Sequence, residues 1–130
     1  MTQSKQQHIL LVEDDDDVLE AVRDVLLDGG YTVIEAKSGS EAMTALQRGP
    51  LPAAMVVDFM MAGMNGADFL KACAADPGLG TIPALVISAG RPAELAAEGI
   101  ETYIPKPFRP EQLLTALDEI LSSRRRLMTG

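Results

Sequence analysis

The stretch Ala53-Ala54-Met55-Val56-Val57-Asp58 is an uninterrupted apolar run that stops on a carboxylate. So short a run without polar alternation predicts a strand buried on both faces, the kind that parallel sheets contain. A strand of that kind needs further strands beside it and helices above and below. The chain offers them in order. His8-Ile9-Leu10-Leu11-Val12 precedes it, Tyr31 to Ala36 is a β-branched stretch, and Ile82 to Ser88 is another apolar run with a polar end. Thr102-Tyr103-Ile104 makes a brief fifth.

Helical patterns fill the gaps. Val18, Val22, Val25 and Leu26 recur at helical spacing behind a run of aspartates and stop at Gly29-Gly30. Ser38 and Glu41 have capping-box spacing, and Asn65 suits the cap of a helix carrying Phe69, Leu70 and Cys73. Pro92 to Ala97 allows only a short helix. Leu113, Leu117, Ile120 and Leu121 mark an amphipathic one that starts near Pro110 and Glu111 and closes on Arg124-Arg125-Arg126. Five strands alternating with five helices require right-handed crossovers, so the expected fold is a doubly wound (βα)5 sandwich. With 130 residues it is one domain, and with 4% aromatics its core must be aliphatic. We assign residues 8–123 to that domain, 1–7 to a flexible polar segment and 124–130 to a basic tail.

Several function classes drop out. A net charge of −8 disfavours direct binding to nucleic acid, and a single Cys73 excludes a disulfide framework. No apolar run approaches the roughly 18 residues of a membrane span, and a cytoplasmic location is expected.

In a sheet of this kind chemistry collects at the carboxyl ends of the strands. Glu13 and Asp14 follow the first strand, Asp58 ends the third, Ser88 the fourth, and Lys106 follows the fifth. Three converging carboxylates repel one another unless a cation intervenes, and an all-oxygen set suits Mg²⁺. Lys106 and Ser88 add a cation and a hydroxyl at the same mouth, a combination suited to a phosphoryl group. Aspartyl phosphates are known intermediates, and phosphoryl transfer needs mainly positioning and charge neutralisation.

These residues carry a resemblance. Val12-Glu13-Asp14-Asp15, Asp58 with Met61, Met64-Asn65-Gly66, Ile87-Ser88-Ala89 and Lys106-Pro107-Phe108 resemble, in order and spacing, the receiver domain of two-component response regulators. The likeness runs from about Ile9 to Leu121. It implies a flavodoxin-like sheet of order 2-1-3-4-5. It also implies that Asp58 accepts a phosphoryl group from a histidine kinase or histidine phosphotransfer protein. Glu13, Asp14, Asp58 and the backbone carbonyl of Met60 would hold Mg²⁺. Ser88 and Lys106 would contact the phosphoryl oxygens, and Ser88 and Tyr103 would report the change to a partner. The Lys106–Pro107 peptide bond would be cis. The domain would be a signalling phosphoacceptor, catalysing only its own phosphorylation and dephosphorylation, and it would act on a protein target in trans as a monomer or weak dimer.

The chain also departs from the family pattern. Ala62 stands where proline is common, and the stretch from Ser88 to Lys106 is short, at the expense of the fourth helix. An apolar Met60, facing Gly90 across the expected path of hydrolytic water, predicts a long-lived phosphoryl group. Two other readings fit the same residues. One is a phosphorylation-independent docking receiver. The other is a small phosphohydrolase of the haloacid dehalogenase type, using Asp14 with Asp16 or Asp15 with Asp17.

Overall fold

The structure is a computed structural model and describes residues 7–61, 65–89, 92–100 and 102–129. Residues 1–6 of the expected flexible segment 1–7 lie outside that range, as do Ala62, Met64 and Gly90. Five strands, β1 (His8–Val12), β2 (Thr32–Ala36), β3 (Ala54–Asp58), β4 (Ala84–Ser88) and β5 (Tyr103–Pro105), form one sheet of order 2-1-3-4-5. Every neighbouring pair is parallel. The helices between them are α1 (Asp16–Asp28), α2 (Gly39–Arg48), α3 (Gly66–Ala74), α4 (Pro92–Ala97) and α5 (Pro110–Thr129). The predicted flavodoxin-like (βα)5 sandwich with a short fourth helix is the observed fold.

The apolar runs are continuous because each strand serves two cores. Ile9, Leu11, Val56, Leu85 and Ile87 point to one side, against Leu19, Val22 and Leu26 of α1 and Leu113, Leu117 and Leu121 of α5. Leu10, Val12, Met55 and Val57 point to the other, against Leu46 of α2 and Phe69 and Cys73 of α3. A third, smaller cluster joins Phe59, Ala67 and Val86 to Leu95, the one buried residue of α4.

Local chemistry sets the helix ends. Asp15 caps α1, its carboxylate accepting from the backbone N–H groups of Asp17 and Val18. Gly30 takes a φ of +94° and lets the chain turn back, with the Tyr31 N–H donating to the Leu26 carbonyl. That bond ties Tyr31 to the helix end, so β2 begins one residue later than its β-branched run suggests. Ser38 and Asn65 cap α2 and α3 as expected, although Glu41 reaches back to the N–H of Lys37 rather than that of the cap residue.

One helix differs in length. The Arg124-Arg125-Arg126 triplet does not end α5, which runs on to Thr129. Arginine is a good helix former, and no Gly or Pro interrupts the chain between Glu111 and Thr129.

Candidate functional site

Backbone pairing continues past the formal strand ends and sets the site residues in a row. The Glu13 N–H donates to the Ala36 carbonyl (3.0 Å), that of Phe59 to Ile87 (2.9 Å), and that of Lys106 to Ser88 (2.8 Å). Val12 lies opposite Val57, and Asp58 opposite Ile87, so Glu13, Asp58 and Ser88 emerge side by side on one edge. All three are deeply buried, at 1%, 3% and 1% exposure.

Lys106 arrives from the next strand over. Its Nζ lies 3.4 Å from Glu13 Oε1 and 3.3 Å from Asp58 Oδ1, bridging the two buried carboxylates. Glu13 Oε2 accepts the Asp15 N–H at 3.2 Å, and Asp58 Oδ1 accepts the Met60 N–H at 3.4 Å. The bond between Lys106 and Pro107 is cis, as the resemblance implied. Burial is the largest influence on Glu13 and, with the neighbouring Asp58 carboxylate, raises its pKa to about 7, while the Asp15 N–H and Lys106 pull the other way. One ammonium does not neutralise this mouth.

Asp14 completes the acidic set. Carboxylate oxygens of Glu13, Asp14 and Asp58 all lie within 4.8 Å of one another. The donors are hard oxygens, two of them from buried side chains whose charge exceeds that of their one amine. That chemistry fits a hard divalent cation such as Mg²⁺.

The sequence treats Glu13 and Asp14 alike, whereas the structure separates them: Glu13 is buried and Asp14 exposed. It also gives Lys106 two carboxylate partners that the sequence reading, which reserved it for a phosphoryl group, missed. Tyr103 is half-buried and packs against the Phe59–Leu95 cluster. Met60 is 61% exposed. The alternative aspartate pairs do not form a site. Asp15 is committed to capping α1, and Asp16 faces outward to Lys37 at 2.7 Å.

The buried Cys73 takes no part; burial, with Asp76 adding to it, pushes its thiol up to about 11.

Fold and site together define a flavodoxin-like α/β domain with an acidic, lysine-bridged mouth at the carboxyl edge of its sheet. The family model of the response regulator receiver domain matches residues 9–118. The chain belongs to the response regulator receiver family. It is 33% identical over 112 residues to the DNA-binding response regulator MtrA of Mycolicibacterium smegmatis, covering 83% of this chain and 47% of that protein. The phosphate regulon transcriptional regulatory protein PhoB of Escherichia coli is 30% identical over 119 residues, with 88% of this chain and 52% of that protein covered. The chain thus spans about half the length of the curated relatives it matches. Among solved structures, the chemotaxis protein CheY4 of Vibrio cholerae superposes with a TM-score of 0.80 at 28% identity, covering 89% of this chain and 99% of that one. Receiver domains are signalling phosphoacceptors of two-component systems, and they bind Mg²⁺ at an acidic pocket. No described helix is long and apolar enough to cross a membrane.

Proposed function

We propose that Asp58 is the phosphoacceptor and that the donor is a phosphohistidine on a histidine kinase or histidine phosphotransfer protein. An Asp58 carboxylate oxygen forms a bond to phosphorus as the donor's P–N bond breaks, leaving the imidazole to take up a proton. The observation that carries this reading is the Lys106 bridge between Asp58 and Glu13. It supplies a cation beside the nucleophile, ready to follow the incoming phosphoryl oxygens, with the Ser88 hydroxyl on the adjacent strand end. Glu13, Asp14, Asp58 and the Met60 carbonyl would hold Mg²⁺, whose chemistry is to neutralise charge on the transferring group. Burial of Glu13 and Asp58 lowers the local dielectric, so the charges gathered at this mouth act more strongly on the reacting carboxylate.

Access for the donor lies beside the site. A groove of about 640 Å³ opens between α1 and the Lys106–Pro110 loop, walled by Val18, Val22, Val25, Pro107 and Phe108, with Lys106 at its rim. An amphipathic helix of the phosphodonor laid in this groove would bring its histidine to Asp58. Readout would pass from Ser88 and Tyr103 to a protein target bound in trans, and the domain would catalyse its own dephosphorylation.

The test is to incubate the chain with Mg²⁺ and acetyl phosphate or phosphoramidate and weigh it intact. One phosphoryl group is expected, absent from Asp58→Asn. Dependence on Asp14 or Asp15 with Asp58→Asn still labelled would point to a phosphohydrolase, and no gain at all to a docking receiver.

A further inference from the structure

Among the described residues, the mouth has one exposed soft atom. Met60 follows Asp58 by two residues and its backbone N–H lies 3.4 Å from Asp58 Oδ1, so its side chain departs from beside the reacting carboxylate. The residue is 61% exposed. The other described methionine side chains are shielded: Met55 and Met61 are buried, and Met43 is half-buried. Oxidant in solution therefore reaches the Met60 thioether ahead of these three.

We propose that Met60 is a peroxide-sensitive site whose oxidation to the sulfoxide shortens the life of the phosphoryl group on Asp58. The inference rests on Asp58 as the phosphoacceptor. In the reaction the Sγ lone pair attacks one oxygen of hydrogen peroxide and the O–O bond breaks. The transferred oxygen stays as S=O, its proton passes to the departing hydroxide, and water is released. Sulfur loses two electrons and peroxide gains them.

The consequence follows from hydrogen-bonding capacity. A thioether is a weak acceptor and leaves a water near the phosphoryl group without orientation. A sulfoxide is a polar, strongly accepting group on the same flexible stem, and reductases can reverse it. Placed at this mouth it holds a water by its proton, with an oxygen lone pair directed at phosphorus. One net hydrogen bond of that kind predicts hydrolysis about two- to tenfold faster.

The experiment uses the whole chain. It is loaded with acetyl phosphate and Mg²⁺ before and after mild hydrogen peroxide, the donor is removed, and loss of phosphate is followed by intact mass. Peptide mapping locates the added oxygen. We expect oxygen on Met60 before Met43, Met55 or Met61, faster decay after peroxide, and recovery with methionine sulfoxide reductase. In Met60→Leu the treated and untreated samples should decay at one common rate, whatever that rate is. Equal or slower decay in the oxidised wild type, oxygen absent from Met60, or the same acceleration in Met60→Leu would each overturn the inference. A chain that takes up no phosphoryl group before peroxide overturns the Asp58 reading and this inference with it; normal loading followed by unaltered decay overturns this inference alone.

Discussion

The contact between α3 and the end of β3 makes a quantitative demand on one residue. Gly66 opens α3, and its N–H donates to the Phe59 carbonyl at 2.9 Å. A Cβ added there would stand 2.6 Å from the Asp58 carbonyl oxygen and 2.9 Å from Phe59 Cα, where ordinary contact begins at 3.4 Å. Both atoms are backbone, and the Phe59 N–H is itself bonded to Ile87. Relief requires the start of α3 to back away by the better part of an ångström, loosening Ala67 and Phe69, which are buried beneath it. Overpacking of this kind costs about 1–3 kcal/mol, against at most roughly 1 kcal/mol gained from replacing glycine in a helix. Gly66→Ala should therefore destabilise the domain by about 1–2 kcal/mol and slow acetyl phosphate labelling by shifting Asp58.

Gly29→Ala provides the control. Its added Cβ also meets an atom at 2.6 Å, but that atom is Leu114 Cδ2, the end of a side chain that can turn. Gly29 has a φ of −78°, open to any residue, so its change should stay below about 1 kcal/mol. Parallel urea unfolding curves measure both. If Gly66→Ala falls within about 0.5 kcal/mol of wild type, or costs no more than Gly29→Ala, the reasoning from backbone contact is wrong.

Three further outcomes follow. The Glu13 carboxyl has a pKa of about 7 in the fold against an ordinary 4.5, so the native state binds more protons than the unfolded one between those values; without Mg²⁺, stability should fall by up to roughly 3 kcal/mol as pH rises through this window, and Glu13→Gln should remove that component from urea curves. A wild-type slope unchanged in the variant would refute this. Leu95→Ala, which removes the only buried side chain of α4, should cost about 2 kcal/mol, at the low end for a core leucine because a six-residue helix can come away locally; amide exchange over residues 94–100 should quicken while β1 and β3 stay protected. Lys71→Ala, breaking the exposed 2.7 Å pair with Glu98, should leave the midpoint of urea unfolding almost where it is in the wild type, and the difference should shrink further in high salt.

Much of this architecture is legible in the residues themselves. Apolar runs such as Ala53–Val57 specify strands covered on both faces, and a parallel sheet then brings Glu13, Asp58, Ser88 and Lys106 to one edge, whatever the details of packing. What is not legible depends on three-dimensional neighbours. Glu13 and Asp14 are adjacent and chemically alike, and only the parity of the continuing β1 ladder turns one inward and leaves the other in solvent. The Lys106 bridge joins residues 93 positions apart, which no spacing rule reports. Leu95 stands alone in an alanine-rich segment, so no periodicity marks it as the anchor of α4. The length of α5 is hidden for the opposite reason: a cationic triplet is both a good helix end and a good helix interior.

The sheet keeps two hydrophobic interiors apart, one shared with α1 and α5 and the other with α2 and α3. Side chains on opposite faces of a strand meet different neighbours, and substitutions at sites without shared partners tend to add independently. A lineage can therefore alter the α1 and α5 layer residue by residue while selection holds the other half fixed. Divergence of one interior need not drag the second with it.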